Sequence, residues 1–297
     1  MARKLRVAIV GPGSLGTALG TALRDAGYAI DAVIGRRGSS FAKARSLAGR
    51  VGARAITNSS GLQAKLIWFC VPDGEIARAG RAIAEDASVK GKVIFHSSGA
   101  LTSSELQPFR RRGAAVASVH PLMTFVSGSH PRLAGVPFAI EGDAAAVRLA
   151  RRVVRDLEGQ AYAIRKKDKA AYHAWGMFTS PLFTALLATT ERVAASAGVD
   201  RKDAIRRMMP ILQQTLKNYA AFGAPGAFSG PIIRGDVETI RRHLRVLKRT
   251  PVPREVYIAL ARAAVQYLPA KNKAALNELL DAEYGKSGTR RGGSSSM

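Results

Sequence analysis

The run "LRVAIVGPGSLGTALG" at residues 5–20 passes from apolar, β-branched residues straight into three spaced glycines and then into a helix-forming stretch. Few folds accept that order. Gly11 permits a tight turn out of a strand, and Gly13 leaves the backbone bare so that a pyrophosphate can approach. Gly16 lets the following helix pack closely on the sheet. The helix N-terminus adds unpaired N–H donors and a partial positive charge, both of which favour an anion. The segment Gly11, Pro12, Gly13, Ser14, Leu15 and Gly16 is therefore the expected phosphate loop of a dinucleotide-binding unit.

The rest of the first half supports that reading. Strand patterns recur at 5–10, 29–34, 53–57, 65–70, 92–96, 114–119, 136–140 and 160–164, with helical stretches at 14–26, 41–50, 75–86 and 143–157. Alternation of this kind implies an α/β fold with a mainly parallel sheet. After about residue 165 the strand signal stops, and helices are expected over 168–197, 201–222, 236–248, 253–267 and 271–282. The expected organisation is a Rossmann domain at 1–165, an all-α domain at 166–285, and a disordered Gly/Ser-rich tail at 286–297.

The end of the second strand selects between cofactors. An NAD enzyme places a carboxylate there to bond the ribose hydroxyls. This chain has "GRRGSS": Gly35, Arg36, Arg37, Ser39 and Ser40. Guanidinium groups grip a 2′-phosphate in forked pairs, so NADP is the expected cofactor. "VPD" (Val71, Pro72, Asp73) after the fourth strand completes the expected cofactor wall. Further strand ends carry "HSSG" (His96, Ser97, Ser98) and "HP" (His120, Pro121), where a nicotinamide ring should lie. No metal-ligand spacing and no nucleophile elbow is present.

Composition bounds the partners. With 46 basic and 21 acidic residues the formal net charge is +25. The basic residues are scattered rather than interleaved with aromatics, so a solvated basic surface with one anion site is favoured over nucleic acid. One cysteine, Cys70, fits a reducing, cytoplasmic setting. The start "MARKLRVAIV" is too short in its apolar part for a secretory signal. The uncharged stretch 170–188, apart from His173, is read as helix buried between helices or in a homodimer interface rather than as a membrane span. Pro181 within it should kink the helix.

Taken together, "GPGSLGTAL", "VPD", "HSSGA", "HPLMTF", "PFAIEGD", "YHAWGMFTSP" and "GPIIRGD" resemble the DUF2520 family, Rossmann-like proteins with a helical C-terminal domain, over about residues 5–268. By extension the chain is similar to pyrroline-5-carboxylate and ketopantoate reductases and to the 6-phosphogluconate and β-hydroxyacid dehydrogenases. The resemblance implies NADP, hydride transfer and a helical domain that dimerises and closes the cleft. It also implies that Tyr172 and His173 stand where related dehydrogenases place a catalytic lysine or polar group. One departure is Ser180-Pro181, where the family often has Ser-Asn.

The resulting expectation is an NADP-dependent oxidoreductase acting on a small carbonyl or imine, with a 2-oxo acid in keeping with the abundant basic side chains. His173 or His120 is the expected proton donor, with His96, Ser97 and Ser98 orienting the substrate and all three histidines lining one pocket. The alternatives are a regulator that senses NADP(H) without turnover and a basic nucleic-acid-associated protein.

Overall fold

The computed structural model describes residues 4–86, 88–129 and 131–288. The chain divides into two compact units at the step from Ser180 to Pro181.

The first unit runs β1 (Arg6–Val10), α1 (Ser14–Asp25), β2 (Ala29–Ile34), α2 (Ser39–Val51), β3 (Arg54–Ile56), β4 (Leu66–Phe69), α3 (Asp73–Asp86), β5 (Val93–His96), α4 (Gln107–Arg111), β6 (Ala115–Pro121), β7 (Pro137–Gly142), α5 (Ala144–Asp156), β8 (Gln160–Ala163) and α6 (Lys169–Thr179). Its eight strands lie in the order β3-β2-β1-β4-β5-β6-β7-β8. Every pairing is parallel except β6 with β7. Among the described residues the connection between those two strands carries no helix, the usual crossover between parallel neighbours.

Alternate residues of the central strands feed two cores. Val7 and Ile9 join Leu19, Leu23, Leu47 and Val153 on the face covered by α1, α2 and α5. Ala8 and Val10 join Ile76, Ile83 and Phe109 on the face covered by α3 and α4. Strand order reverses between β1 and β4, and the crevice beyond their carboxyl ends is where ligands of such sheets bind.

The second unit is helical: α7 (Pro181–Ser196), α8 (Arg201–Ala227), α9 (Pro231–Arg234), α10 (Val237–Leu247), α11 (Pro251–Tyr267) and α12 (Lys273–Gly288). Its core joins α10, α11 and α12 through Ile240, Leu244, Ile258, Val265, Leu276 and Leu280. The single helix expected over 168–197 is instead two. Ser180 leaves helical geometry at φ −130°, and Pro181 starts α7. A proline has no N–H to continue a preceding turn but suits the first helical position, so it resets the helix rather than kinking it. The glycine-rich break expected after 222 appears as an interruption of α8 at Gly223, φ 67°. The last helix reaches Gly288, into the stretch expected as tail, and residues 289–297 lie outside the described residues. No described helix is long and apolar enough to cross a membrane.

Candidate functional site

The glycine loop has the geometry its spacing demands. Gly11 has φ 98°, the left-handed region open to glycine. A Cβ on Gly16 would stand 2.0 Å from the Gly11 carbonyl oxygen, so α1 rests directly on the loop backbone. Gly13 is the opposite case, with nothing within 4 Å of the position a Cβ would take. The loop is closed beneath Gly16 and bare at Gly13, which fits the approach of a pyrophosphate.

Beside it lies a cavity of about 430 Å³ lined by Gly11, Pro12, Gly13, Gly35, Arg36, Ser39, Val71 and Pro72. Eight of the expected cofactor residues thus meet in one place. Ser14, Leu15, Gly16, Arg37 and Asp73 do not line it. Gly16 is taken up by packing, and Arg37 is exposed away from the cavity. Ser40 also lines it, with apolar residues and four further polar ones that local sequence signals do not mark: Lys43, Thr57, Glu75 and Arg78. Lys43 stands one helical turn after Ser39, a spacing that puts both on one face of α2. Glu75 meets Arg36 at 3.4 Å and also pairs with Arg78. Those guanidiniums hold its carboxyl below the usual carboxylate range, Arg78 chiefly by its hydrogen bond. Three cations and one carboxylate leave the cavity net positive, as a phosphate dianion requires.

The neighbouring strand ends separate the expected catalytic residues into two groups. His96 is fully buried. Its Nδ1 accepts from the Ser98 N–H at 3.1 Å, and its Nε2 lies 2.9 Å from the Thr102 carbonyl. These partners assign the uncharged tautomer with the proton on Nε2. Burial drives its pKa down to about 4, against the pull of the Thr102 bond. Ser97 turns into the core, where its Oγ accepts from Trp68 Nε1 at 2.8 Å. His96 and Ser97 thus both brace the loop after β5, and His96 also acts on the charge of His120.

Ser98 ties the two regions together. Its Oγ donates to Asp73 Oδ2 at 2.8 Å and accepts from the Leu101 N–H. Asp73 opens α3, directly after the cavity wall at Val71 and Pro72. His120 and His173 do come together, with ring centroids 6.5 Å apart. His120 Nδ1 is 2.8 Å from the Tyr172 hydroxyl. A Cβ on Gly99 would be 2.8 Å from His173 Cδ2 and 2.9 Å from His120 Nε2, so both rings lie directly on that glycine. Burial pushes the His120 pKa down to about 4, with the nearby charges of Lys169, His173 and His96 in the same direction. Burial and the Tyr162 hydroxyl push the Tyr172 phenol upward. At neutral pH, His120 and Tyr172 are thus an uncharged, hydrogen-bonded pair. Among the described residues no cluster of three or more His, Cys, Asp and Glu could hold a metal ion.

Residues 1–121 match the Rossmann-like domain family, and residues 136–264 match the domain of unknown function DUF2520. No curated protein matches the sequence. Among solved structures, BF3122 of Bacteroides fragilis, a candidate NADP oxidoreductase, is similar at TM-score 0.74 and 22% identity, covering 88% of this chain and 98% of its own. A reductive aminase from Aspergillus terreus, solved with NADPH and ethyl-5-oxohexanoate, gives TM-score 0.63 and 17% identity over 93% and 99%. An imine reductase from Pseudomonas sp. gives 0.59 and 20% over the same shares. At these identities the likeness establishes the fold.

Proposed function

We propose that this chain, a Rossmann-like domain followed by a DUF2520 domain, is an NADP-dependent reductase of a small carbonyl or imine compound. The observation that carries the reading is the net-positive cavity at a bare glycine loop, joined through Asp73 and Ser98 to the His120–Tyr172–His173 cluster. The nicotinamide-cofactor complexes among the structural neighbours support it.

NADPH supplies the hydride when bound. This chain's residues do the remaining work. Gly13 and the start of α1 receive the pyrophosphate, while Arg36 and Lys43, with Ser39 and Ser40, hold the 2′-phosphate. Reduction of a carbonyl or imine also needs a proton near neutral pH. His120, with a pKa of about 4, is uncharged there and serves as a hydrogen-bond partner. We assign the proton to His173, half-exposed beside it. A second copy completes the molecule in this reading: Ile211, Leu216, Tyr219 and Phe222 stand exposed along α8, more apolar surface than one copy keeps in water.

Isothermal titration tests the cofactor assignment. NADPH should bind more tightly than NADH, and Arg36→Glu should remove that preference. One charge-assisted bond contributes about 1.5–3 kcal/mol, roughly tenfold to hundredfold in affinity. Arg37→Glu, away from the cavity, should leave it. Equal affinities in the unsubstituted protein would sink the reading.

A further inference from the structure

Lys169 is the first residue of α6 and only 1% exposed. Its ammonium donates to the Ser98 carbonyl at 2.9 Å and to Ser118 Oγ at 2.6 Å. Among the described residues no carboxylate is in direct ion-pair contact with it. Glu141 is spent on the Ser103 N–H and hydroxyl, and Asp73 receives the Ser98 hydroxyl. A buried ammonium hydrogen-bonded only to neutral acceptors costs stability, and Glu141 and Asp73 offset part of that through space. A cation on the first turn of a helix also opposes the helix dipole.

Its two acceptors show what it does. The carbonyl of Ser98 belongs to the same planar peptide as the N–H of Gly99. Holding that oxygen from α6 and from β6 therefore fixes the plane of Gly99, the residue on which His120 and His173 lie. Ser118, the second acceptor, also donates to the Ser98 carbonyl at 3.2 Å and sits two residues before His120 on the same strand face. One side chain thus binds the loop after β5, strand β6 and helix α6 at the point where they meet.

We propose that Lys169 is a positioning residue of this site: it locks the Ser98–Gly99 peptide beneath the two imidazoles and sets the electrostatic field at the His120–Tyr172 pair. It touches neither substrate nor cofactor. Its catalytic meaning rests on the reading above, but its test needs no substrate. The groups that face His120 are His96 from β5 and Lys169, Tyr172 and His173 from α6, with Tyr162 of β8 behind Tyr172 and Asp73 of α3 behind Ser98. After burial itself, Lys169 is the strongest of the influences holding His120 uncharged. Burial lowers its own pKa to about 8, so most of the charge is present at neutral pH.

The experiment is NMR of the full chain with labelled histidine and lysine. In Lys169→Met the His120 titration midpoint should rise by about half a pH unit or more, with NADPH affinity within about twofold of the parent. Lys169→Gln, which keeps an N–H donor for the Ser98 carbonyl but no charge, should give the same rise. A folded variant with an unmoved His120 midpoint would leave Lys169 as a mere packing clamp and overturn the proposal. In the unsubstituted protein, a slowly exchanging ammonium signal from Lys169 at neutral pH is required. Its absence refutes the proposal even if neither variant folds. Loss of NADPH selectivity with the Lys169 results intact would instead fault the functional reading alone.

Discussion

Replacing Gly13 and Gly16 separately by alanine should divide cofactor binding from folding. At Gly16 the new Cβ would stand 2.0 Å from the Gly11 carbonyl oxygen and 3.3 Å from Cys70 Cβ. The first of these is backbone, which no rotamer change can move aside, so α1 must shift off β1. Overpacking typically costs about 1–3 kcal/mol, and a backbone clash belongs at the upper end. At about 2–4 °C per kcal/mol for a chain of this size, Tm should fall by roughly 6–12 °C. At Gly13 the outcome differs. Its φ of −73° and ψ of −173° suit any residue, and the space is open. The entropy gain of about 0.4–1 kcal/mol is offset by the loss of a good helix N-cap, so Tm should move by no more than about 3 °C. The added methyl instead obstructs the backbone N–H groups that receive a pyrophosphate. Losing one such bond weakens NADPH by roughly tenfold to hundredfold. Differential scanning calorimetry and isothermal titration on the same two variants give all four values. A Gly13→Ala protein that binds NADPH like the parent, or a Gly16→Ala protein as stable as the parent, would refute the reasoning.

His173→Ala should lower turnover by about 10²–10⁴-fold once a substrate is known, with NADPH affinity nearly unchanged, because a proton donor acts in the transition state. His96 and His120 are held uncharged with pKa values near 4, so the unfolded chain takes up protons below about pH 6.5 while the folded chain does not. Stability is therefore undiminished above about 6.5 and falls toward pH 4, by about 2 kcal/mol for each histidine at pH 5. Urea unfolding at pH 7 and pH 5 should show this, and equal midpoints at both would contradict the two depressed values. Light scattering at micromolar concentration should find a dimer, and Phe222→Glu should shift it to monomer. Monomer in the parent protein would count against the second copy.

Much of the first unit was legible because its signals are local. Most of its strands are short β-branched or apolar runs, several of them ended by glycine, proline or a polar residue, and the glycine loop prints its own turn and helix start. The reversal of β7 against β6 was harder to see, since it depends on what is missing between them. "LMTFVSGSHPRLAGV" holds turn residues and no helical period, which favours an antiparallel return over a helical crossover. In the cofactor cavity, Arg36 was legible from its place after β2. Arg78 was not, because its role arises from α3 lying over the same crevice.

The catalytic end shows where local reading gives out. His96 and His120 look alike in sequence, each a histidine closing an apolar strand, yet one is fastened by Ser98 and Thr102 and the other is paired with Tyr172. The partners that tell them apart come from a loop six residues on in the first case and from a helix 52 residues on in the second. Lys169 is the extreme instance. In "RKKDKAAYH" it is indistinguishable from Lys166 and Lys167, both of which are exposed. What singles it out is a phase: Lys169, Tyr172 and His173 fall at i, i+3 and i+4, one face of α6, and that face meets β6 at Ser118 and His120, which share a face at i and i+2. Two polar residues alternating within the apolar strand "AAVASVHP" were the available sign that something charged packs against it. A polar side chain buried at a strand's end requires a partner, and here the partner is an ammonium.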